Sequence, residues 1–527
     1  MKYFTRHLIL IILNVVLFGS SIELPIGLTD NEKQRKGEIY SMGRNTDPPP
    51  YPVRNIAEFE PMSGVLIRYP FGIPVALIEE MSQDITIYCL VSSSQENSAY
   101  NSMASGGVNM NNVEFVLGST DSYWTRDYGP WWVVDGDRNI SVVDFTYNRP
   151  RPNDNDAPLK ISNYLNVPYF SADLIHCGGN YMTDGLGISA SSELVFEENN
   201  LANDQVFTLM EDYYGIDTYH VVPDPNNTYI DHIDCWGKYL SATKVLIREV
   251  PSTHPQYSEI EEAANYFANT TTKWNQPWEL YRVWTPSNQP YTNSLILNNK
   301  IFVPTTGSSW DDQALAVYSQ AMPGYEVLGF SGSWESTDAL HCRIKGIPDL
   351  QMLQIFHNPI NDSIPPEENG YRVDAIVDDL SESGLHAEST KIFWKTDQIN
   401  HWNESPLYYT NNSEIPNQWG GWIPALADSG NIHYYVQSAD SSGRFEQSPP
   451  AGWHTFFAYP TDACISWDVG DLDNSGVLNI IDVLLLADQI IEGSISGSCS
   501  GFVSDVNGDN EITIIDILLL INMISNP

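Results

Sequence analysis

The sequence predicts three folded regions in succession: a mixed α/β region, an all-β sandwich and a small helical calcium-binding region. Short β-rich runs alternate with helical segments over residues 56–353, and the helical pattern stops over residues 354–460. Two acidic loops with one shared spacing, each followed by an apolar helix, come last. A chain of 527 residues is too long for one ordinary core, which agrees with several domains.

The first residues of the chain predict export. "MKYFTRHLILIILNVVLFGSS" places Lys2 and Arg6 ahead of an apolar run and small residues, so residues 1–21 are expected to be a signal peptide. Residues 22–55, which end in "NTDPPPYPVRN", are expected to be an extended linker. No later run is long and apolar enough to span a membrane. We therefore expect a secreted, extracellular protein.

Two hydrophobic periodicities separate the α/β region from the sandwich. "GVLIRYP" and "DITIYCLVS" are typical of buried strands, whereas "EIEEAANYFANTT" and "DDQALAVYSQAM" are typical of helices. In residues 354–460, "YRVDAIVDD", "TKIFWKTD" and "NIHYYVQSAD" alternate in polarity, with turn-rich segments between them. That second pattern predicts a β-sandwich of immunoglobulin-like size.

The tail repeats one loop-and-helix pattern. "DLDNSGVLNIID" begins at Asp471 and "DVNGDNEITIID" begins at Asp505, and each spaces oxygen-bearing side chains as a calcium loop does. Residues 466–527 resemble a type I dockerin, a family of calcium-binding modules that bind cohesins. The resemblance places the calcium ligands at Asp471, Asp473, Ser475, Asn479, Asp482, Asp505, Asn507, Asp509, Thr513 and Asp516. We expect the tail to attach the protein to a cohesin-bearing scaffold or to a cell surface.

Composition limits the partners of the protein. Lys and Arg number 25 against 67 acidic residues, a net charge of −42, which argues against nucleic-acid binding. The charge suits an extracellular protein or one with a cationic ligand. The six cysteines are too few to be the main scaffold of so long a chain, although Cys464 and Cys499 could pair.

Three stretches combine carboxylates, imidazoles and thiols. Asp127 lies in "YWTRDYGPWWV", where a buried carboxylate needs a partner, either Arg126 or a cation from outside. His232 and Asp234 lie in "YIDHIDCWGKYL", and Cys342 lies in "STDALHCRIKG". These groups suit attack on a guanidinium carbon. Carboxylates grip the planar fork, a thiolate adds to the carbon, and a histidine protonates the departing amine.

The residues by themselves leave other interpretations open. His232 and Asp234 could be two ligands of a zinc site. A histidine is also more often a structural residue than a catalyst. The dipeptide His176-Cys177 in "IHCGGNYMTDG" offers the same chemistry as His341-Cys342.

A family resemblance narrows these alternatives. "WTRDYGPWWV", "YNRPRPND", "HCGGNYMTDG", "HIDCWGKYL" and "HCRIKGIPD" occur in the order found in Porphyromonas-type peptidylarginine deiminases, relatives of the agmatine deiminases. The resemblance spans residues 56–353 and implies the pentein fold, a five-bladed propeller of ββαβ modules around a central site. The fivefold repeat is not visible in the sequence itself. An immunoglobulin-like domain after the catalytic one also matches the layout of the family.

The resemblance also assigns roles to residues. It implies Cys342 as nucleophile, His232 as general acid and base, and Asp127 and Asp234 as the guanidinium-binding carboxylates. It places the remaining substrate contacts at Trp124, Arg149, Arg151, Tyr229, Ile230 and Asn293. Catalysis needs no cofactor on this interpretation, and calcium serves only the tail.

The expected activity is conversion of peptidyl-arginine to peptidyl-citrulline and ammonia through a covalent thiouronium on Cys342. Arg149 and Arg151 are two residues apart around Pro150, so in an extended segment both guanidinium groups face one side. Their family counterparts hold the free carboxylate of a C-terminal arginine, so a preference for C-terminal arginine is expected. The alternatives are a secreted agmatine deiminase that forms N-carbamoylputrescine, and a catalytically silent adhesion protein.

Overall fold

The computed structural model of the protein describes residues 23–227, 230–360, 366, 369–413, 415–459, 468–473, 475–492, 503–508 and 511–525. Several sequence predictions lie outside these residues. They are the signal peptide, the substrate contact Tyr229, the calcium ligand Asp509, and the pair Cys464 and Cys499. The other four cysteines, Cys89, Cys177, Cys235 and Cys342, are buried free thiols.

Residues 54–348 form five small sheets, within the described chain, that share one connection pattern. In each sheet an antiparallel pair of strands is followed, across a helical crossover, by a strand parallel to the second of the pair. The strands of this region are β1 Arg54–Asn55, β2 Met62–Arg68, β3 Thr86–Val91, β4 Val113–Leu117, β5 Trp131–Val134, β6 Ile140–Tyr147, β7 Tyr169–His176, β8 Met182–Thr183, β9 Ile188–Ser192, β10 Thr218–Val222, β11 Gly237–Tyr239, β12 Lys244–Glu249, β13 Glu279–Trp284, β14 Leu295–Leu297, β15 Lys300–Thr305, β16 Glu326–Ser331 and β17 Lys345–Pro348. They are ordered in the five sheets as β1-β5-β6-β7, β8-β9-β10, β11-β12-β13, β14-β15-β16 and β17-β2-β3-β4.

Helices cover the faces of these sheets, which explains why the strands read as apolar runs rather than as alternating ones. Every residue of β6 is buried, and β2 is buried except at its second position. The helices of this region are α1 Asp30–Gln34, α2 Val75–Met81, α3 Glu96–Ser105, α4 Thr125–Tyr128, α5 Pro152–Asn155, α6 Ala157–Leu165, α7 Leu194–Glu197, α8 Asn203–Tyr214, α9 Tyr257–Ala268 and α10 Asp311–Ala321.

The last strand of the region closes the set of sheets. β17 pairs antiparallel with β2, the first long strand, so that Lys345 lies opposite Leu66 and Gly346 opposite Val65. β2 in turn pairs in parallel with β3. The beginning and the end of the α/β region therefore meet in one sheet, and the centre between the five sheets is complete only after this pairing.

The prediction of an extended linker over residues 22–55 is wrong for its middle part. Residues Asp30–Gln34 form a helix and Lys36–Ser41 a 3₁₀ helix. Thr29 and Glu32 form a reciprocal capping box, in which the Thr29 hydroxyl accepts from the Glu32 N–H and Glu32 accepts from the Thr29 N–H. Ile26 is fully buried, so this segment packs on the α/β region instead of leading to it.

Residues 353–458 form a second core between two antiparallel sheets, as the sequence predicts. Side chains from both sheets meet there, including Val373, Ala375, Ile432 and Tyr434. The sheet orders are β18-β19-β23-β22 and β21-β20-β24-β25, with β26 paired to β24, and the strands are β18 Leu353–His357, β19 Tyr371–Asp379, β20 Lys391–Thr396, β21 Asn403–Pro406, β22 Tyr408–Tyr409, β23 Gln418–Ile423, β24 Gly430–Ala439, β25 Phe445–Ser448 and β26 His454–Ala458.

The tail contributes two helices, α11 Ile480–Glu492 and α12 Ile514–Ser525, each directly after an acidic loop. Leu486 and Leu520 are fully buried in a small core between the helices. Among the described residues, no helix combines the length and the apolar character needed to cross a bilayer.

Candidate active site

Five short turns, each directly before a strand of one of the five sheets, carry four of the predicted site residues. Asp127 lies on α4 before β5, and Asp234 lies on the 3₁₀ turn Ile233–Cys235 before β11. Cys342 lies on the 3₁₀ turn His341–Arg343 before β17. The other two turns hold Gly178–Asn180, before β8, and Asn293, before β14. Each sheet thus contributes one turn to the centre.

A glycine explains how closely three of these side chains converge. A Cβ atom on Gly179 would lie 2.7 Å from Asp127 Oδ1, 2.7 Å from His232 Nδ1 and 3.3 Å from Asp234 Oδ2. A Cβ on Gly178 would collide with the Arg126 carbonyl oxygen at 2.0 Å. The "CGG" stretch of the sequence is therefore required because the backbone passes where no side chain fits.

Asn293 holds the loop that carries Cys342. Its Oδ1 accepts hydrogen bonds from the backbone N–H groups of Ala339 at 2.8 Å, His341 at 3.1 Å and Cys342 at 3.3 Å. Its Nδ2 lies 3.1 Å from Cys342 Sγ and donates to it. One carboxamide thus fixes the turn and also places a donor at the sulfur.

One side of the centre is a network of charged side chains that are linked by ion pairs and hydrogen bonds. Asp234 Oδ2 lies 3.2 Å from Cys342 Sγ and 2.7 Å from His341 Nδ1, and His341 Nε2 lies 2.6 Å from Glu58 Oε2. Glu58 also pairs with Arg126 and Lys238, both at 2.8 Å. Burial raises the pKa of Asp234, but the hydrogen bond and charge of His341 outweigh it, so the pKa is lowered.

The opposite side of the centre is unpaired. Asp127 is fully buried, and neither carboxylate oxygen has a hydrogen-bond partner among the described residues. Asp338 is 1% exposed and equally without a partner in the described chain. Burial and the neighbouring Asp234 raise the pKa of Asp127 well above its ordinary value, and burial raises that of Asp338 to about 8. Arg126 pairs with Glu58, so it is not the partner that Asp127 lacks.

His232 and Cys342 are neutral in this unliganded arrangement. Burial lowers the pKa of His232 to about 3, and its Nε2 is buried without a hydrogen-bond partner in the described chain. Burial, Cys235 and the carboxylate of Asp234 raise the pKa of the Cys342 thiol well above its ordinary value. A cation placed between the unpaired carboxylates would lower the pKa of the thiol and favour the thiolate.

The residues that could hold a zinc ion are Asp127, Cys177 and His232, rather than the pair His232 and Asp234. Ligand atoms of Asp127, Cys177 and His232 lie within 4.8 Å of one another, and His232 Nδ1 lies 3.8 Å from Asp127 Oδ1 and 4.0 Å from Cys177 Sγ. Asp234 is engaged with His341 instead. Burial and the charge of Asp127 raise the pKa of the Cys177 thiol well above its ordinary value.

Aromatic rings lie against the guanidinium group of Arg343, the residue after Cys342. Trp124 is fully buried, and the Arg343 guanidinium lies 4.9 Å from its ring centroid and 5.0 Å from that of Tyr123. Ile230 is 3% exposed. The residue after Cys342 thus carries a cation that aromatic rings enclose.

Arg149 and Arg151 are engaged by the N-terminal segment of the chain. Arg149 Nε donates to the Ile26 carbonyl at 2.9 Å, and Arg151 Nε donates to Glu32 Oε1 at 2.7 Å. Arg151 Nη2 also donates to the carbonyls of Pro25 at 2.7 Å and of Gly27 at 3.1 Å. Both arginines therefore contact the same segment, residues 25–32.

Comparison with known proteins decides the family. A sequence profile of the Porphyromonas-type peptidyl-arginine deiminases matches residues 57–348. The chain belongs to that family. A profile of type I dockerin domains matches residues 469–525. The protein is therefore a deiminase, a hydrolase of carbon–nitrogen bonds in linear amidines, with a dockerin at its C-terminal side.

Agmatine deiminases are similar to the deiminase region. An agmatine deiminase of Medicago truncatula is 25% identical over 289 residues, which is 44% of this chain and 77% of the plant protein. The solved structure of the agmatine deiminase of Enterococcus faecalis superimposes with a TM-score of 0.53 at 19% identity, covering 58% of this chain and 99% of the bacterial one. This second likeness shows the pentein-type fold of the N-terminal part.

The sequence reasoning missed three groups of the deiminase centre. Asp338 lies four residues before Cys342 in "STDALHC", close enough to have been considered with it. His341 was considered only as a neighbour of Cys342, although it bridges Asp234 and Glu58. Glu58 lies far from every motif in the chain, and no local pattern marks it.

The first calcium loop of the dockerin brings its predicted carboxylates together. Ligand oxygens of Asp471, Asp473 and Asp482 lie within 4.8 Å of one another, a donor set that suits calcium. Asp482 also accepts from the N–H groups of Leu472 at 2.9 Å and Asn479 at 2.8 Å. Asp516 accepts in the same way in the second loop, from Val506 and Thr513 at 2.8 Å each.

Proposed function

We propose that the protein hydrolyses the guanidinium group of C-terminal arginine in peptides, giving citrulline and ammonia. The supporting observation is the unpaired half of the centre. The buried carboxylates of Asp127 and Asp338 accept no hydrogen bond from any residue of the described chain. Both belong to the same centre as Cys342, the proposed nucleophile. A guanidinium cation supplies the donors and the charge that these groups lack.

In the proposed mechanism the bound cation lowers the pKa of the Cys342 thiol, and His232 accepts the thiol proton. The thiolate adds to the guanidinium carbon while Asp127, Asp234 and Asp338 hold the nitrogens. His232 returns the proton to one terminal nitrogen, which leaves as ammonia, and a thiouronium remains on Cys342. Water then loses a proton to His232 and adds to the same carbon. The carbon–sulfur bond breaks, the hydroxyl proton of the intermediate passes to sulfur, and the neutral ureido group of citrulline is released, while His232 gives its proton to solvent, where ammonia takes it up as ammonium.

A second candidate substrate is agmatine. Arg149 through Nε, and Arg151 through Nε and Nη2, already donate to residues 25–32, so a substrate carboxylate could bind the pair only after this segment moves. Agmatine lacks a carboxylate and would not need a receptor for one. The similarity to agmatine deiminases favours the same candidate.

We further propose that the five sheets surround the centre as the blades of a pentein propeller, and that the dockerin folds around two calcium ions and docks on a cohesin. Export would bring the enzyme to an extracellular scaffold. Catalysis would use no metal, because thiol, imidazole and carboxylates supply every proton and bond of the mechanism.

The test measures how fast the ureido product forms from each of three substrates. They are a peptide that ends in free arginine, the C-terminal amide of the same peptide, and agmatine. We expect Cys342→Ala to abolish turnover of all three while it still binds the preferred one, because no thiolate remains to add to the carbon. Cys177→Ala is the matched control and should stay active. Turnover by Cys342→Ala together with loss in Cys177→Ala would transfer the nucleophile to Cys177.

A further inference from the structure

A stretch of the chain lies on the substrate-binding side chains. We call residues 23–35 the N-terminal cover. Trp124 Nε1 donates to the Leu24 carbonyl at 3.0 Å, and Arg68 pairs with Glu23 at 2.6 Å. Ile26 is fully buried in the same apolar cluster as Trp124 and Cys342. With Arg149 and Arg151 also bound to it, the cover contacts three of the residues expected to bind substrate.

We propose that the N-terminal cover is an intramolecular occupant of the substrate cleft, and that its removal by proteolysis opens the enzyme. The inference rests on the proposed function in one respect, the assignment of Trp124, Arg149 and Arg151 to the substrate-binding surface. The cover presents to the arginines what a peptide substrate would present, namely main-chain carbonyls and a carboxylate.

The fit of the cover in the cleft is incomplete at the point where a substrate carboxylate would bind. Arg151 Nη1 is buried without an acceptor in the described chain, although Nε and Nη2 of the same side chain are bound. Glu32 accepts a hydrogen bond from Arg151 Nε at 2.7 Å, whereas the distance from Arg151 Nη2 to the second carboxylate oxygen of Glu32 is 3.3 Å. A free carboxylate on a mobile ligand can meet both donors of a guanidinium fork more evenly.

The sheets of the α/β region do not include the cover. The first strand begins at Arg54, and the cover pairs with no strand of the described chain. The chain is anchored again beyond it, where Thr46 N–H donates to the Ser171 carbonyl at 3.1 Å and the Thr46 hydroxyl accepts from Ser171 N–H at 3.0 Å. Loss of residues 23–35 would therefore remove the buried side chain of Ile26 but no strand pairing of the α/β region.

The boundary of the cover is open to a protease. Lys33, Lys36 and Gly37 are exposed, and Arg35 is half-buried. Three basic residues in four positions are unusual in a chain with 25 among 527 residues. A protease specific for basic residues would cut here, between the last contact of Glu32 and the anchor at Thr46.

The experiment is limited trypsin digestion of the full chain, with removal of the released peptide and a check by intact mass. Iodoacetamide labelling of Cys342, read by peptide mapping, measures opening independently of catalysis, and buried Cys89 is the internal control. We expect both the labelling rate of Cys342 and kcat/KM for a peptide with C-terminal arginine to rise by about tenfold or more, since an open state is typically a minor population. A synthetic peptide of residues 23–35 should reverse both effects.

A matched variant, with Lys33, Arg35 and Lys36 all replaced by Gln, should resist the cut and show neither change after trypsin. Uncut Glu32→Ala should show a partial rise in Cys342 labelling. Faster labelling with no deimination of any substrate would support the cover and overturn the proposed function. Unchanged labelling and turnover after the cut, or unfolding of the cut protein, would overturn the cover and leave the proposed function standing.

Discussion

The two sides of the buried centre differ in one respect: one side is saturated with partners and the other has almost none. On the saturated side Glu58 contacts Arg126, Lys238 and His341, and His341 continues the chain of bonds to Asp234. On the bare side Asp127 and Asp338 have no bonded partner in the described chain. The unpaired side is the more deeply buried one, since the side chain of Asp127 is 0% exposed and that of Glu58 is 15% exposed, so solvent does not supply the partners that Asp127 lacks.

The difference indicates which carboxylates stabilise the fold and which are reserved for a ligand. A buried charge that is paired several times holds its surroundings in place, and removing one member leaves the others uncompensated. A buried carboxylate without partners destabilises the empty protein. Such a cost is retained where a ligand later satisfies the group. The predictions below test this division.

Asp127→Asn should give the largest change in activity. Asn keeps the shape of the side chain but removes the negative charge, so the guanidinium loses charge-assisted hydrogen bonds worth about 1.5–3 kcal/mol each. We expect kcat/KM for the preferred substrate to fall by about a thousandfold, with the free energy of unfolding unchanged or higher. Steady-state kinetics and denaturant unfolding on one preparation measure both. A strongly destabilised variant would instead show that Asp127 stabilises the fold and is not reserved for a ligand.

Glu58→Gln should show the opposite balance. Arg126 and Lys238 would keep buried charges without a counter-charge, and we expect the free energy of unfolding to fall by about 3 kcal/mol or more. Urea unfolding followed by tryptophan fluorescence measures the loss, with exposed Glu382→Gln as control. If Glu58→Gln unfolds like wild type, the network around His341 does not support the fold.

Asp338→Asn should change the pH dependence of stability. Burial raises the pKa of Asp338 from 3.8 to about 8 in the folded protein. The unfolded chain releases this proton first as pH rises, so the carboxyl lowers the free energy of unfolding progressively between about pH 4 and pH 8. The Asn variant should lose that part of the slope. The other buried carboxyls are common to both proteins, so parallel slopes would contradict the placement of Asp338.

Calcium removal should have the smallest effect on the centre. The carboxylates of Asp471, Asp473 and Asp482 repel one another without an ion, so a chelator should unfold the dockerin. Deimination by the full chain should be unchanged, because no residue of the centre belongs to either loop. Circular dichroism and the ureido assay with and without chelator measure the two outcomes. A parallel loss of activity would reveal a metal in the catalytic region.

The acidic loops and the alternating strands of the sandwich rest on local patterns, so the sequence alone could predict them. The roles of the candidate site residues followed from the family resemblance of the motifs, since neighbouring residues left open whether Asp127 pairs with Arg126 or with a cation from outside. The fivefold repeat was not recognisable, since its recurring unit is a turn before a short strand, as at Cys177, Cys235 and Cys342, separated by strands and helices of different lengths.

Long-range pairing explains what the sequence reasoning missed. Glu58 contacts His341 although 283 positions of sequence separate them, so no short stretch of sequence contains both residues. The linker prediction over residues 22–55 failed for the same reason, since Glu32 is placed by Arg151, 119 positions away. Polar composition suggested an extended segment, and the buried arginines supply the contacts that composition does not show.

The pairing of β17 with β2 links catalysis to the completeness of the chain. Cys342 lies three residues before Lys345, where β17 begins, and β17 closes the sheet that β2 opened at Met62. A polypeptide interrupted before this point lacks both Cys342 and the strand that closes the sheet. The deiminase region can therefore assemble its buried centre only after residue 348 has been synthesised, so folding of this region is completed late in synthesis.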